Sequence, residues 1–264
     1  MKNNCGYRLA LLVCGVIWST GANARELITD RPDKTEAAYT VDLGRYQFET
    51  DIVSYTRDRA AGVTTERWAF NLINMKRGMT PNSDLQVLVE SLRFTRTREL
   101  GATTRVLGFG DITVRFKQNL WGNDEGTTAF ALMPFVRFAT AKADFGGRGG
   151  SAGLIAPLAI SLPNDWGLGL MAQFNRDPNA RTDGHHWKVI GTAAIGHSIV
   201  GALGGYAEFF SQSSWETGAK WVVTADFGLT YGMTPDLQFD VGANVGVTDA
   251  ADDLNPFVGV SWRI

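Results

Sequence analysis

Cysteine is nearly absent from this chain. Its 264 residues hold two, Cys5 and Cys14, both inside the first 24 positions. From residue 25 onward no disulfide, thiol chemistry or cysteine-based metal site can be built. Charge of one sign is also missing: 25 Lys+Arg stand against 27 Asp+Glu. That balance excludes a basic nucleic-acid-binding surface and an acidic disordered tail. No run approaches the roughly 20 consecutive apolar residues that a membrane-spanning helix requires. Histidine is scarce, with three in the whole chain. Glycine is not: 30 residues exceed the usual share of roughly 7%. A β-rich fold remains, either soluble or a barrel whose apolar residues are spread thin by alternation.

The first 24 residues have the pattern of an export leader. Lys2 and Arg8 form a basic start, Leu9 to Trp18 an apolar run of ten, and Ala22-Asn23-Ala24 the small residues before a cleavage site after Ala24. Removing residues 1–24 takes both cysteines, Lys2 and Arg8 away and leaves 23 basic against 27 acidic side chains.

From about Arg45 onward the dominant period is two. Leu237, Phe239, Val241, Ala243 and Val245 alternate with Gln238, Asp240, Gly242 and Asn244. Trp221, Val223, Ala225, Phe227, Leu229 and Tyr231 alternate with Val222, Thr224, Asp226, Gly228 and Thr230. Turn chemistry recurs between such stretches. Gly78-Met79-Thr80-Pro81-Asn82 resembles Gly232-Met233-Thr234-Pro235-Asp236, and Leu162-Pro163-Asn164-Asp165-Trp166 is a third version. Residues 122–126 and 201–205 add two more tight connections. Six longer polar connections fall at about 57–64, 96–107, 140–152, 175–186, 212–218 and 247–255. Short turns alternating with long loops give about twelve antiparallel strands, with both chain ends on the short-turn side. Short periplasmic turns, long outer loops and an even strand number define an all-β transmembrane barrel of the outer membrane, here over residues 45–264.

A soluble β-sandwich would bury its aromatics mid-strand. Here Trp68, Trp187 and Trp221 adjoin long loops, while Trp121, Trp166 and Trp262 adjoin short turns or the last strand's end. Two aromatic bands suit two membrane interfaces. Gly259-Val260-Ser261-Trp262-Arg263-Ile264 resembles the terminal strand by which such barrels engage the assembly machinery, with Ile in place of the usual Phe. The expected surroundings are therefore outer-membrane lipid and lipopolysaccharide.

If the apolar phase faces lipid, its polar neighbours face the lumen. That phase, taken strand by strand, places Glu49, Asp51, Arg67, Glu90, Asp111, Arg115, Lys117, Arg137, Lys188, Glu208, Asp226 and Asp240 inside. Such a set either lines a wet passage for a small solute or neutralises itself in a closed interior. Residues 25–44 precede the first strand as a polar arm. Its Asp30, Arg31, Asp33, Lys34 and Glu36 are too charged for lipid, so it is either a solvated periplasmic tail or a plug folded into the lumen.

Three segments carry a family resemblance: residues 28–36 (Ile-Thr-Asp-Arg-Pro-Asp-Lys-Thr-Glu), Gly108-Phe109-Gly110-Asp111-Ile112 and Pro134-Phe135-Val136-Arg137. They resemble the exported, transporter-like barrels named for the MetA pathway of phenol degradation. The resemblance implies an outer-membrane channel for aromatic or other small organic compounds, and identifies no ligand site.

Catalytic and cofactor chemistry finds little support. Asp183-Gly184-His185-His186 could activate water, but has no second acid pair or serine partner with motif support. Gly146-Gly147-Arg148-Gly149-Gly150 lacks the Lys-Ser/Thr step of a phosphate loop. Asp249, Asp252 and Asp253 match no calcium-loop spacing. The expectation is a passive channel with no catalytic residue, cofactor or metal. A closed barrel serving adhesion, envelope structure or partner docking through its outer loops is the alternative, and an outer-membrane hydrolase the third reading.

Overall fold

The computed structural model describes residues 25–141, 145, 149–180 and 182–264. The expected leader lies outside these residues, as does most of the glycine-rich segment 146–150. Thirteen strands follow one another: β1 Tyr46–Ala60, β2 Val63–Thr80, β3 Ser83–Glu99, β4 Ala102–Gly108, β5 Ile112–Trp121, β6 Thr128–Phe138, β7 Ser151–Ser161, β8 Trp166–Pro178, β9 His185–Val200, β10 Leu203–Ser214, β11 Val222–Thr234, β12 Leu237–Gly246 and β13 Leu254–Arg263. Each pairs antiparallel with its neighbours, and β1 pairs with β13, so the sheet closes. Both β4 and β5 pair with β3; they are one staircase position broken at Phe109-Gly110-Asp111. The barrel is therefore twelve-stranded, and closure leaves no sheet edge around its girth.

The exposed face is the apolar one. Phe227, Leu229, Tyr231 and Val241 are 44–53% exposed, whereas Asp226 and Asp240 between them are 2% and 3% exposed. In a sandwich the order would be reversed; a hydrocarbon surround is what makes this order favourable.

Two of the six expected long loops are not loops. Residues 57–64 turn on Ala61-Gly62 alone (φ 51° and 81°), and residues 96–107 turn on Leu100-Gly101 (φ 47° and 82°). Two successive left-handed residues make the tight hairpin turn whose twist matches the flanking strands. The ladders therefore run on unbroken, Arg59 pairing Thr64 and Arg98 pairing Thr103. On this side the wall projects beyond its apolar band. Asn164-Asp165 (φ 60° and 59°) makes the same turn at the opposite end.

One irregularity resets the phase. Ile52, Asn71 and Ser91 lie in a line across β1, β2 and β3, each skipped by the pairing. Asn71 has φ 51°, and Ser91 Oγ donates to Phe70 O at 2.8 Å. On the turn side of this bulge Lys76, Asn74 and Glu49 are buried. Beyond it the odd-numbered Arg67 of β2 shares a face with Thr56, which accepts a hydrogen bond from the inward Asn255. A bulge moves every later side chain to the other face.

Candidate functional site: the barrel interior and its N-terminal finger

Residues 25–44 lie inside the barrel, because their partners come from every part of the wall. The segment enters at the short-turn end, where Arg25 Nε donates to Asp42 at 2.5 Å and Gln47 Nε2 donates to Ile28 O at 2.9 Å. It doubles back at residues 31–36, closed by Ala37 N donating to Asp30 Oδ1 at 2.9 Å. It returns along β5 and β3, with Asn119 donating to Ala38 O at 2.9 Å and Val41 N to Asp84 at 3.1 Å. A bridge from Leu43 to Gly78 leads it into β1.

Charges at the tip of this finger meet charges on the wall. Asp30 lies between Lys76 and Lys117, with Lys117 Nζ at 2.9 Å, and its backbone N–H donates to Glu49. Lys76 also contacts Glu49. Arg31 pairs with Asp51 and, at 2.7 Å, with Asp240. Lys34 Nζ sits 2.9 Å from Asp226 and its backbone N–H donates to Glu208 at 2.8 Å. Glu208 and Asp226 are directly paired across β10 and β11, so two like charges face each other and a cation between them relieves the repulsion. Thr35 donates to Glu208 at 2.6 Å and lies 2.6 Å from the Thr192 hydroxyl. Glu36 pairs with Arg115.

The remaining lumen-phase residues pair within the wall or with outer connections. Arg137 lies 3.3 Å from Asp111, Lys188 2.5 Å from Asp177 and Arg67 2.9 Å from Asp252, while Glu90 contacts Arg93. Sequence reasoning did not name Lys76, which is 2% exposed and contacts both Asp30 and Glu49. Constant alternation from Arg67 puts residue 76 on the lipid face; the bulge at Asn71 turns it inward. Tyr206, Thr192 and Asn119 were also unnamed. As uncharged residues in alternating strands, they carry no signal that separates them from other inward positions.

Not all of the interior is polar. Met133, Ile155, Met171 and Ile190, from four successive strands, pack together with Phe135 and Phe210 against them. This apolar strip borders a cavity of about 180 Å³ in the outer half, lined among others by Arg115, Phe135, Arg137, Ile155, Asp177 and Lys188. Arg137, Asp177 and Lys188 also line a mouth of about 420 Å³ above it. On the other side of the finger, Asp33, Tyr39 and Tyr206 border a cavity of about 280 Å³ against the small residues Gly167, Gly169, Ala194 and Gly196. Thr35 and Glu36 stand between the two halves: Glu36 holds Arg115 from below, and Thr35 Cγ2 comes within 3.1 Å of where a Gly169 side chain would begin.

His186 lines the outer mouth, where its Nδ1 is 3.1 Å from Asn179 Oδ1; His197 lies near the short-turn end, contacting Asn164 O at 3.1 Å beside the Trp166 ring.

Residues 29–264 match the family model of the MetA pathway of phenol degradation. The chain belongs to that family. The match starts at Thr29, so it takes in the finger as well as the barrel wall. Among solved structures, the chain is similar to the COG4313 outer membrane channel from Pseudomonas putida F1, with a TM-score of 0.65 and 11% identity over 86% of this chain and 98% of that one. It is also similar to the NanC porin, with a TM-score of 0.54 and 12% identity over 82% and 100%. The β domain of the Bordetella autotransporter BrkA follows, with a TM-score of 0.51 and 13% identity over 84% and 99%. At these identities the likeness establishes the shared fold, an outer-membrane barrel. No curated protein matches the chain.

Proposed function

We propose that this protein is a passive outer-membrane channel for small organic solutes, with residues 25–44 serving as its plug. The observation that carries the reading is the ion-paired finger between an outer and an inner cavity of a closed twelve-stranded barrel. The outer cavity sets three ion-paired cations and Asp177 beside an apolar strip, a lining suited to a solute with an apolar body and a polar group. Selectivity by charge and radius requires no catalytic residue and no cofactor. The family's link to phenol degradation and the channel from Pseudomonas putida F1 support the same reading.

The dense pairing of the finger also favours a second reading, a closed barrel that docks partners through its outer connections. Planar-bilayer conductance of the refolded protein, with and without residues 25–44, separates the two. Conductance that rises several-fold on truncation supports the plugged channel. Silence from both folded forms sinks it and leaves the closed barrel. Assembly through the terminal strand 259–264 belongs to the same proposal and predicts that deleting Trp262–Ile264 blocks insertion in cells.

A further inference from the structure

The outward face of the projecting wall is built in rows. Strand pairing puts Tyr55, Trp68, Phe94 and Leu107 side by side across β1 to β4. Two residues further out, about 7 Å at the usual rise, the next row is Arg57, Glu66, Arg96 and Arg105. The row beyond contains Arg59 and Arg98. These side chains point away from the lumen: Arg57 is paired with Leu254, whose neighbour Asn255 bonds the inward Asn244.

Glu66 organises the cluster. Arg96 Nε donates to it at 2.7 Å, Arg98 lies at 3.4 Å, and Tyr55 OH donates to its other oxygen at 3.0 Å. The Arg96 guanidinium carbon also lies 5.3 Å from the centre of the Trp68 ring. Arg57 and Arg105 have no carboxylate partner among the described residues, and both are exposed. Of the four arginines only Arg96 and Arg98 contact Glu66, and the cluster sits directly above an aromatic row of the kind that marks a membrane interface. A guanidinium held over an indole loses less freedom when it binds a phosphate.

We infer that Arg57, Arg96, Arg98 and Arg105 form a binding site for a phosphate of lipid A, seated on the outer side of the barrel wall. Charge complementarity and position choose the occupant. The cluster faces the bilayer rather than the lumen, and it stands at the height where acyl chains give way to phosphorylated headgroups. The inference rests on the outer-membrane location of the barrel and not on its conducting anything.

The test is binding of bis-phosphorylated lipid A to the refolded full-length chain in detergent, read by native mass spectrometry or fluorescence titration. Heat-modifiable gel migration checks folding of each variant. The double substitution Arg96→Gln/Arg105→Gln is expected to weaken binding at least tenfold while the barrel stays folded and its conductance is unchanged. Glu66→Gln removes the competing carboxylate and is expected to tighten binding about threefold, which structural damage would not do. Monophosphorylated lipid A is expected to bind more weakly, and millimolar inorganic phosphate to compete poorly. Equal binding by all variants overturns the site, and so does a loss of binding in Glu66→Gln. Full competition by inorganic phosphate overturns the lipid assignment. A barrel silent in bilayers that still shows this binding pattern keeps the site and removes the channel.

Discussion

Arg31 Nη2 lies 2.7 Å from Asp240 Oδ1, although 209 residues separate the two in sequence. The guanidinium reaches that carboxylate by lying over Gly259, which is paired with Asp51 on one side and Asp240 on the other. A side chain at 259 would begin 2.0 Å from Arg31 Nη2, so the gap in the row is the seat of the arginine. Gly259→Ala is therefore expected to displace Arg31 and weaken the hold on the finger by about 1.5–3 kcal/mol, the range for hydrogen bonds to charged groups. The check is the frequency of open events in a bilayer, which should rise with the barrel fold intact. An unchanged record would show that Arg31 does not hold the finger.

The finger can be locked. Thr35 and Thr192 bring their hydroxyls within 2.6 Å, and residues 25–264 contain no competing cysteine. Thr35→Cys/Thr192→Cys should oxidise readily, abolish any finger-dependent conductance, and regain it on reduction. Conductance that ignores the redox state would place the solute path away from the finger.

Lys76 is 2% exposed between Asp30 and Glu49. Lys76→Met leaves Glu49 without a cation and Asp30 with Lys117 alone, and breaking such a buried pair costs about 3–5 kcal/mol. Urea unfolding of the refolded protein should show that loss. Adding Glu49→Gln should recover part of it, since one uncompensated charge is then removed.

Val241 and Asp240 are neighbours on opposite faces, 47% and 3% exposed. Val241→Arg is expected to destabilise the barrel by about 2–4 kcal/mol near the membrane midplane. From the alternation alone an equivalent change at Asp240 should be tolerated. The ion pair with Arg31 reverses that: Asp240→Arg sets two guanidinium groups together, whereas Asp240→Asn keeps the shape and should mainly loosen the finger. Equal unfolding midpoints for Val241→Arg and Asp240→Asn would mean that the two faces are assigned wrongly.

The barrel was legible because period-two alternation in β11 and β12 is strict, and because Pro/Asn/Asp turns recur at one end of the wall. What escaped follows from the same source. In residues 57–64 and 96–107 the apolar half of the alternation stops, so the pattern reads as loop. The backbone ladder depends on pairing and not on hydrophobicity, and Ala61-Gly62 and Leu100-Gly101 let it continue. The Asn71 bulge hid Lys76 for a related reason: a single left-handed residue leaves no mark in composition yet inverts the phase of half a strand. The charges of residues 30–36 were visible, but the choice between tail and lumen depended on partners such as Glu208 and Asp226, which are known only once the sheet closes.

The row Asp51, Gly259 and Asp240 straddles the junction of the first strand with the last two, and Arg263 adds a contact with Asp42 at 3.3 Å. The part of the chain synthesised earliest therefore has binding partners synthesised latest. During assembly the finger cannot reach its final seat until the cylinder has been sewn shut. Occupancy of that seat by Arg31 is thus a built-in readout of completed closure, and an unsealed intermediate would be distinguished by a free, protease-sensitive amino-terminal segment.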